Sequence, residues 1–135
     1  MKVAAGKMTM PFQNAFFMGV LCNILVTIGV LLSLSGKDGV SRFIGAWVPV
    51  MFFVVCGFNH SIADMTYCML GLFAKGVPAY LEAAQAAGVA VENLTWGNYF
   101  VGNMIPVTLG NIIGGVAVGF TFWFSFLRGT GNDEK

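Results

Sequence analysis

The sequence has few charged residues and almost no charge imbalance. Only 10% of its 135 residues are Asp, Glu, Lys or Arg, and the formal net charge is +1. This balance excludes the basic surface on which nucleic-acid binding depends, so no nucleic-acid partner is expected. Hydrophobic residues instead make up 57% of the chain, and the mean hydropathy is +0.79. Such a composition indicates an integral membrane protein.

Cysteine is scarce as well. Cys22, Cys56 and Cys68 all lie in apolar stretches, and their odd number argues against a disulfide framework. We interpret them as small packing residues. A cleavable signal peptide is not expected either, because residues 1–10 contain two lysines but no apolar core of their own.

Three apolar stretches predict membrane spans at approximately residues 9–35, 40–75 and 99–127. The middle stretch is too long for one span, because its 36 residues would reach roughly 54 Å as a continuous helix against a hydrocarbon core of ~30 Å. Gly57, beside His60, is the natural place for a break, near residues 57–60. The predicted fold is therefore an all-α membrane protein with three transmembrane segments, the middle one interrupted. A short surface helix is also predicted from Pro78 to Ala87, with Gly88 as its stop.

The distribution of basic residues predicts the orientation only by a narrow margin. With three spans the two ends face opposite sides, and the positive-inside rule favours a cytoplasmic C-terminus by one residue. Four basic residues would lie on the C-terminal side and three on the other: Lys37, Arg42, Arg128 and Lys135 against Lys2, Lys7 and Lys75.

Several polar residues lie inside the predicted spans. His60, the only histidine, and Asp64 are next to the proposed break, while Asn23 and Asn111 lie in the first and third spans. Buried amides must be hydrogen-bonded, so they face protein or water; helix-to-helix bonding is the simplest role for Asn23. A helix break, a titratable group and intramembrane amides are also what transporters combine at a midplane substrate site.

Two other interpretations of the histidine remain open. On a continuous helix Cys56, His60 and Asp64 would share one face, as in a membrane-embedded metal or redox subunit. Gly57 disfavours this geometry and the chain has one histidine, so no metal or cofactor is expected. Alternatively, His60 is structural and bonds a backbone carbonyl. In the third span two glycine pairs, Gly110 with Gly114 and Gly115 with Gly119, predict close helix packing.

Three motifs together resemble the formate/nitrite transporter family, pentameric channels for small monovalent anions. They are residues 19–26 (GVLCNILV), 57–65 (GFNHSIADM) and 103–115 (NMIPVTLGNIIGG). The resemblance covers residues 7–128 and implies a channel rather than an enzyme, with an aquaporin-like fold of six spans in two inverted halves. Residues 1–135 would form the C-terminal half, spans four to six.

The resemblance also implies roles for individual residues. His60 would be the central pore histidine, which meets a threonine from the other half. Phe53 and Val26 would be apolar constrictions, and Asn23 and Asn111 pore-region asparagines.

At the mouth, the resemblance makes Lys7 the vestibule lysine that gathers anions. Two positions depart from the family, which has Glu before the histidine and Asn four residues after it. Here they are Asn59 and Asp64. We predict that Asp64 pairs with Lys7 and makes the vestibule less positive.

The implied function is passive, proton-linked passage of a small monovalent anion through a channel of the cell membrane, with lipid, anion and proton as partners and a homopentamer as the assembly. The sequence does not choose between formate, nitrite, hydrosulfide, lactate and acetate. Because the family pore needs both halves, the chain is a fragment, the product of a split gene or a self-pairing half, and we favour the first two. A non-conducting half-subunit that needs a partner chain is the remaining alternative.

Overall fold

The computed structural model describes residues 1–128, and across them all regular structure is helical. The prediction of an all-α protein is confirmed. The α-helices, in chain order, are α1 Lys2–Met8, α2 Phe12–Ser35, α3 Gly39–Val55, α4 Ser61–Ala74, α5 Pro78–Ala86 and α6 Ile105–Phe122. A 3₁₀ turn forms at Val91–Asn93, and π-helical segments at Asn98–Met104 and Trp123–Leu127 extend α6 at its two ends.

Among residues 1–128, two helices are long and apolar enough to cross a membrane: Phe12–Ser35, and the continuous helical stretch Asn98–Leu127. They coincide with the first and third predicted spans. The short helix α1 was not predicted, and Pro11 separates it from α2 as the N-cap residue of that helix. A proline lacks the N–H that a continuous helix would use at this point, so the chain starts a new helix instead. Lys135, which contributed to the predicted orientation, lies outside the described residues.

The helices α2 and α6 pack closely because α6 presents glycines to α2. A Cβ at Gly110 would collide with the backbone carbonyl oxygen of Phe16, and one at Gly114 with that of Val20. The predicted close packing is therefore confirmed for this pair. Among the described residues nothing approaches the equivalent position at Gly119.

The middle apolar stretch is interrupted where the sequence predicts. Helix α3 ends at Val55 and α4 begins at Ser61. Gly57 has φ +69°, a left-handed conformation that costs glycine little because it has no Cβ. His60 is extended, at φ −114° and ψ 118°. The interruption turns one apolar run into helices of 17 and 14 residues.

The loops follow the expected helix-capping chemistry. The predicted surface helix is α5, which starts with Pro78 and is followed by Gly88 at φ +69°. Asp38 caps α3 by accepting hydrogen bonds from the backbone N–H groups of Val40 and Ser41, each 2.9 Å long. The hydrogen bond from the Ser41 hydroxyl is the main cause that lowers the pKa of Asp38 below its ordinary value of 3.8.

A small apolar core joins α1 to α4 and to the segment before α6. It contains Ala4, Ala5, Met8, Cys68, Val91, Leu94 and Tyr99. All three cysteines are free, and Cys22 and Cys68 are buried as packing residues. Cys56 is exposed in this chain because it lies at the end of α3, beside the break, and its packing role stays a prediction.

Candidate functional site

The break between α3 and α4 leaves backbone polar groups without helical partners, and Asn111 supplies partners for two of them. Its Oδ1 accepts from the N–H of Ser61 at 2.9 Å, and its Nδ2 donates to the carbonyl oxygen of Asn59 at 3.1 Å. The same Nδ2 donates to the carbonyl oxygen of Gly19 on α2 at 2.9 Å. One amide on α6 therefore holds the residues on both sides of His60.

Asn23 extends this network. Its Nδ2 donates to the backbone carbonyl oxygen of Asn111. The backbone carbonyl oxygen of Asn23 accepts a hydrogen bond from the Thr27 hydroxyl at 2.8 Å. The bond to Asn111 links α2 to α6, which is the helix-to-helix role that the sequence predicts as the simplest. Both amides are thus engaged with the backbone, which leaves less of their hydrogen-bonding capacity for a passing solute.

His60 and Phe53 stack beside the break. Their ring centroids are 5.8 Å apart with an interplanar angle of 24°, and both side chains are half-buried. The carbonyl oxygen of His60 accepts from the N–H of Asp64 at 2.8 Å, which starts helix α4. The imidazole is therefore held at the helix end by an aromatic ring rather than within a helix.

These two rings line a partly open cavity of about 320 Å³. Lys7 and Asp64 lie in the same lining, with Phe58 and Tyr67. Four predicted site residues are thus brought together, while Val26, Asn23, Asn111 and Asn59 are not part of this lining. Val26 lies half-buried on α2, and its assignment as a constriction stays a prediction.

Lys7 and Asp64 form the predicted ion pair. The Lys7 Nζ lies 2.8 Å from Asp64 Oδ1, and the two side chains are 15% and 0% exposed. The same Nζ donates to Asn59 Oδ1 at 2.6 Å. Both positions that depart from the family pattern therefore contact the same ammonium group, whereas the sequence predicts the contact only for Asp64.

Asn103 also belongs to this cluster, although the sequence did not mark it as a site residue. Its Nδ2 donates to Asp64 Oδ2 at 3.0 Å, and Asn103 is fully buried. An amide in an apolar stretch was the available signal, as it was for Asn23 and Asn111. Tyr67 was missed too, since nothing in its sequence context shows that α4 turns this residue toward the cavity.

The arrangement does not support a metal site. The break prevents Cys56, His60 and Asp64 from sharing a helix face, and Asp64 is engaged with Lys7. Among residues 1–128 no three His, Cys, Asp or Glu side chains lie close enough to hold a metal ion.

Comparison with known proteins identifies relatives along nearly the whole chain. Residues 1–124 match a family described as formate/nitrite transporter. The chain is 36% identical to a probable formate transporter of Methanothermobacter thermautotrophicus, covering 93% of the chain and 41% of that protein. It is also 36% identical to the formate channel FocA of Escherichia coli K12, covering 95% of the chain and 46% of FocA. For the nitrite transporter NirC of the same strain the identity is 36%, over 91% of the chain and 40% of NirC.

A solved structure of the same family has a similar fold. The fold superposes on a pentameric formate channel with formate bound at a TM-score of 0.79 and 35% identity, covering 93% of this chain and 51% of that one. The chain thus spans about half the length of the relatives it matches. These relatives are transporters or channels, and their similarity runs through the interrupted helix and the α2–α6 pair. The chain therefore belongs to the formate/nitrite transporter family of membrane proteins.

Proposed function

We propose that this chain forms part of the wall of a membrane channel that carries a small monovalent anion, such as formate or nitrite, together with a proton. The observation that carries the proposal is the cavity at the break, where Lys7 and Asp64 lie with the stacked pair Phe53 and His60. Family membership and the formate and nitrite relatives support the same substrate class.

Moving a charge through an apolar slit costs free energy. Aromatic and aliphatic walls cannot replace the hydration of an anion, so a bare charge is strongly disfavoured between them. A neutral acid, formed when the anion takes up a proton, avoids most of this cost. His60 is the polar group next to the apolar Phe53, and we assign it the role of central pore residue in proton-linked passage.

The mouth of this pathway is less positive than a lone lysine would make it. The buried carboxylate of Asp64 is 2.8 Å from the Lys7 ammonium and offsets its charge. Recruitment of anions by long-range attraction is therefore weak in this chain.

The complete channel requires more than the described residues. The relatives are about twice as long, and we propose that a second set of three spans completes the pore, with α3 and α4 together forming one interrupted span. The pentameric formate channel supports a homopentamer. We propose that the C-terminus lies on the cytoplasmic side, as the positive-inside rule favours.

The test is anion flux in liposomes that contain the complete channel. A His60→Ala variant is expected to lose the pH dependence of formate uptake. Lys7, Asp64 and Tyr67 are further titratable residues in the cavity lining, so Tyr67→Phe tests whether the loss of another titratable group has the same effect. Cys56 lies beside the break but outside the lining, so Cys56→Ser tests whether any substitution near the break has this effect. Formate uptake by His60→Ala with an unchanged pH profile would refute the role of His60. Absence of flux from the complete wild-type assembly would favour a non-conducting subunit.

A further inference from the structure

We propose that Asn103 is a positioning residue that holds the carboxylate of Asp64 against Lys7 and so sets the charge that the mouth of the cavity presents to an anion. This inference rests on the proposed function for its consequence in transport. Its structural part, the clamping of Asp64, stands on contacts within the chain.

The contacts of Asn103 reach both members of the ion pair. The Nδ2 atom donates to Asp64 Oδ2 at 3.0 Å and makes a longer contact, 3.4 Å, to the backbone oxygen of Lys7. Asn103 and Asp64 are both fully buried. A hydrogen bond to an ionised group in such surroundings is stronger than one at a wet surface.

The local backbone explains how one short side chain reaches two elements. Asn103 lies in the π-helical segment Asn98–Met104, a wider turn than an α-helix and one that often occurs at functional sites. The preceding residue is Gly102, where an added Cβ would lie 2.5 Å from the backbone oxygen of Met8. The end of α1 therefore rests directly on this segment, within reach of the amide.

The two oxygens of Asp64 have different partners, and this division orients the carboxylate. Oδ1 faces the Lys7 ammonium and Oδ2 faces Asn103. Without the amide, one oxygen of a buried carboxylate would lose its donor, at a free-energy cost that favours rotation of the group toward other donors or water. Rotation moves Oδ1 away from Lys7. The ammonium is then less neutralised and attracts anions more strongly.

The transport test compares Asn103→Leu and Asp64→Asn, alone and combined, in liposomes containing the complete channel. We expect Asn103→Leu to lower the half-saturating formate concentration by about threefold at low ionic strength. Asp64→Asn changes it in the same direction, and adding Asn103→Leu to Asp64→Asn has no further effect, because the residue acts through the carboxylate. High salt abolishes the differences. Additive effects, or an unchanged half-saturating concentration, would overturn the inference.

A second measurement does not depend on transport. In the purified protein, amine-reactive labelling of Lys7 is quantified by peptide mass spectrometry, with the exposed Lys2 of the same helix as the internal reference. We expect the ratio of Lys7 to Lys2 labelling to rise about threefold in Asn103→Leu, because an ammonium released from Asp64 is more accessible. If this variant does not fold, Asn103→Ser, whose hydroxyl is too short to reach Asp64, is measured instead. An unchanged ratio contradicts the clamp even if the channel conducts. A raised ratio without wild-type anion flux contradicts only the proposed function.

Discussion

Lys7 Nζ lies 2.8 Å from Oδ1 of Asp64, and this ion pair joins α1 to α4. Because Asp64 is fully buried, the attraction between the charges is largely offset by the loss of hydration. Such a pair contributes little net stability, yet the removal of one partner leaves an uncompensated buried charge. The pair therefore specifies where α1 sits on α4 and which charges face the cavity.

Replacing only the lysine should destabilise the protein more than replacing both partners. Lys7→Met leaves the carboxylate of Asp64 buried without its cation, at a cost of roughly 3–5 kcal/mol in the free energy of unfolding. The double variant with Asp64→Asn should recover most of this loss. Chemical unfolding of the purified protein in detergent measures both. Equal destabilisation of the single and double variants would show that Asp64 is not held as an ion.

Asn111 should be more important to the fold than an amide that makes one local hydrogen bond. Asn111→Leu leaves the N–H of Ser61 and the carbonyl of Asn59 unsatisfied, at about 1–3 kcal/mol for each buried group. The matched control is Asn98→Leu, which removes one hydrogen bond to the backbone carbonyl of Asn93 from a half-buried residue at the start of the π-helical segment. The difference in unfolding free energy between the two variants tests whether the hydrogen bonds of Asn111 stabilise the backbone at the break. Similar losses in the two variants would contradict it.

Alanine substitution at two glycines of α6 should change the stability of the protein in opposite directions. At Gly114 a Cβ meets the backbone of Val20, so Gly114→Ala forces α2 and α6 apart and costs about 1–3 kcal/mol. At Gly119 nothing among the described residues is close, and Gly119→Ala gains up to ~1 kcal/mol from helix propensity. Thermal unfolding in detergent compares them. A stable Gly114→Ala would mean that the helices can separate without cost.

Phe53 should limit the size of the solute that passes. Phe53→Ala removes the ring stacked on His60, so acetate flux should rise relative to formate flux by about threefold or more. Liposome uptake of the two labelled anions gives the ratio. The neighbouring Phe52 is 55% exposed and lies outside the cavity lining, so Phe52→Ala is the control. A ratio that changes equally in both variants would point to a general loosening of α3.

The cap of α3 should make its start sensitive to acid. The pKa of Asp38 is lowered, chiefly by the Ser41 hydroxyl. A carboxyl with a lowered folded-state pKa contributes stability above its unfolded value, and this contribution is lost as the pH falls through the folded value. Ser41→Ala should raise the pKa of Asp38 toward 3.8, as measured by carboxyl NMR titration. No change would show that the backbone N–H groups alone set it.

Local chemistry explains why parts of this fold were predictable. Gly57 marked the break because an apolar run too long for a membrane has to be interrupted where left-handed backbone costs least. Pro78 and Gly88 marked the ends of α5 for similar reasons. Helix α1 was missed, because seven residues carry too little periodicity to predict a helix whose stability comes from packing on α4.

The candidate site was predictable in part. The pairing of Lys7 with Asp64 followed from a family position where a carboxylate replaces an amide. The contact of Asn59 with the same ammonium did not, since Asn59 lies in the break between two helices, where no helical periodicity indicates the direction of its side chain. Asn111 was expected in the pore region, but its amide is used to hold the backbone at the break.

The sequence by itself determined the membrane environment, the helical class, the place of the interruption and the family, because these depend on hydropathy, glycine conformation and contiguous motifs. Only the tertiary structure showed that Asn59 and Asn103 join the predicted pair of Lys7 and Asp64. Lys7, Asn59, Asp64 and Asn103 come from three separate parts of the chain and meet at one ammonium and one carboxylate. Buried polar groups must be hydrogen-bonded, and their partners depend on which distant segments pack together. The spacing of residues along the chain does not show this.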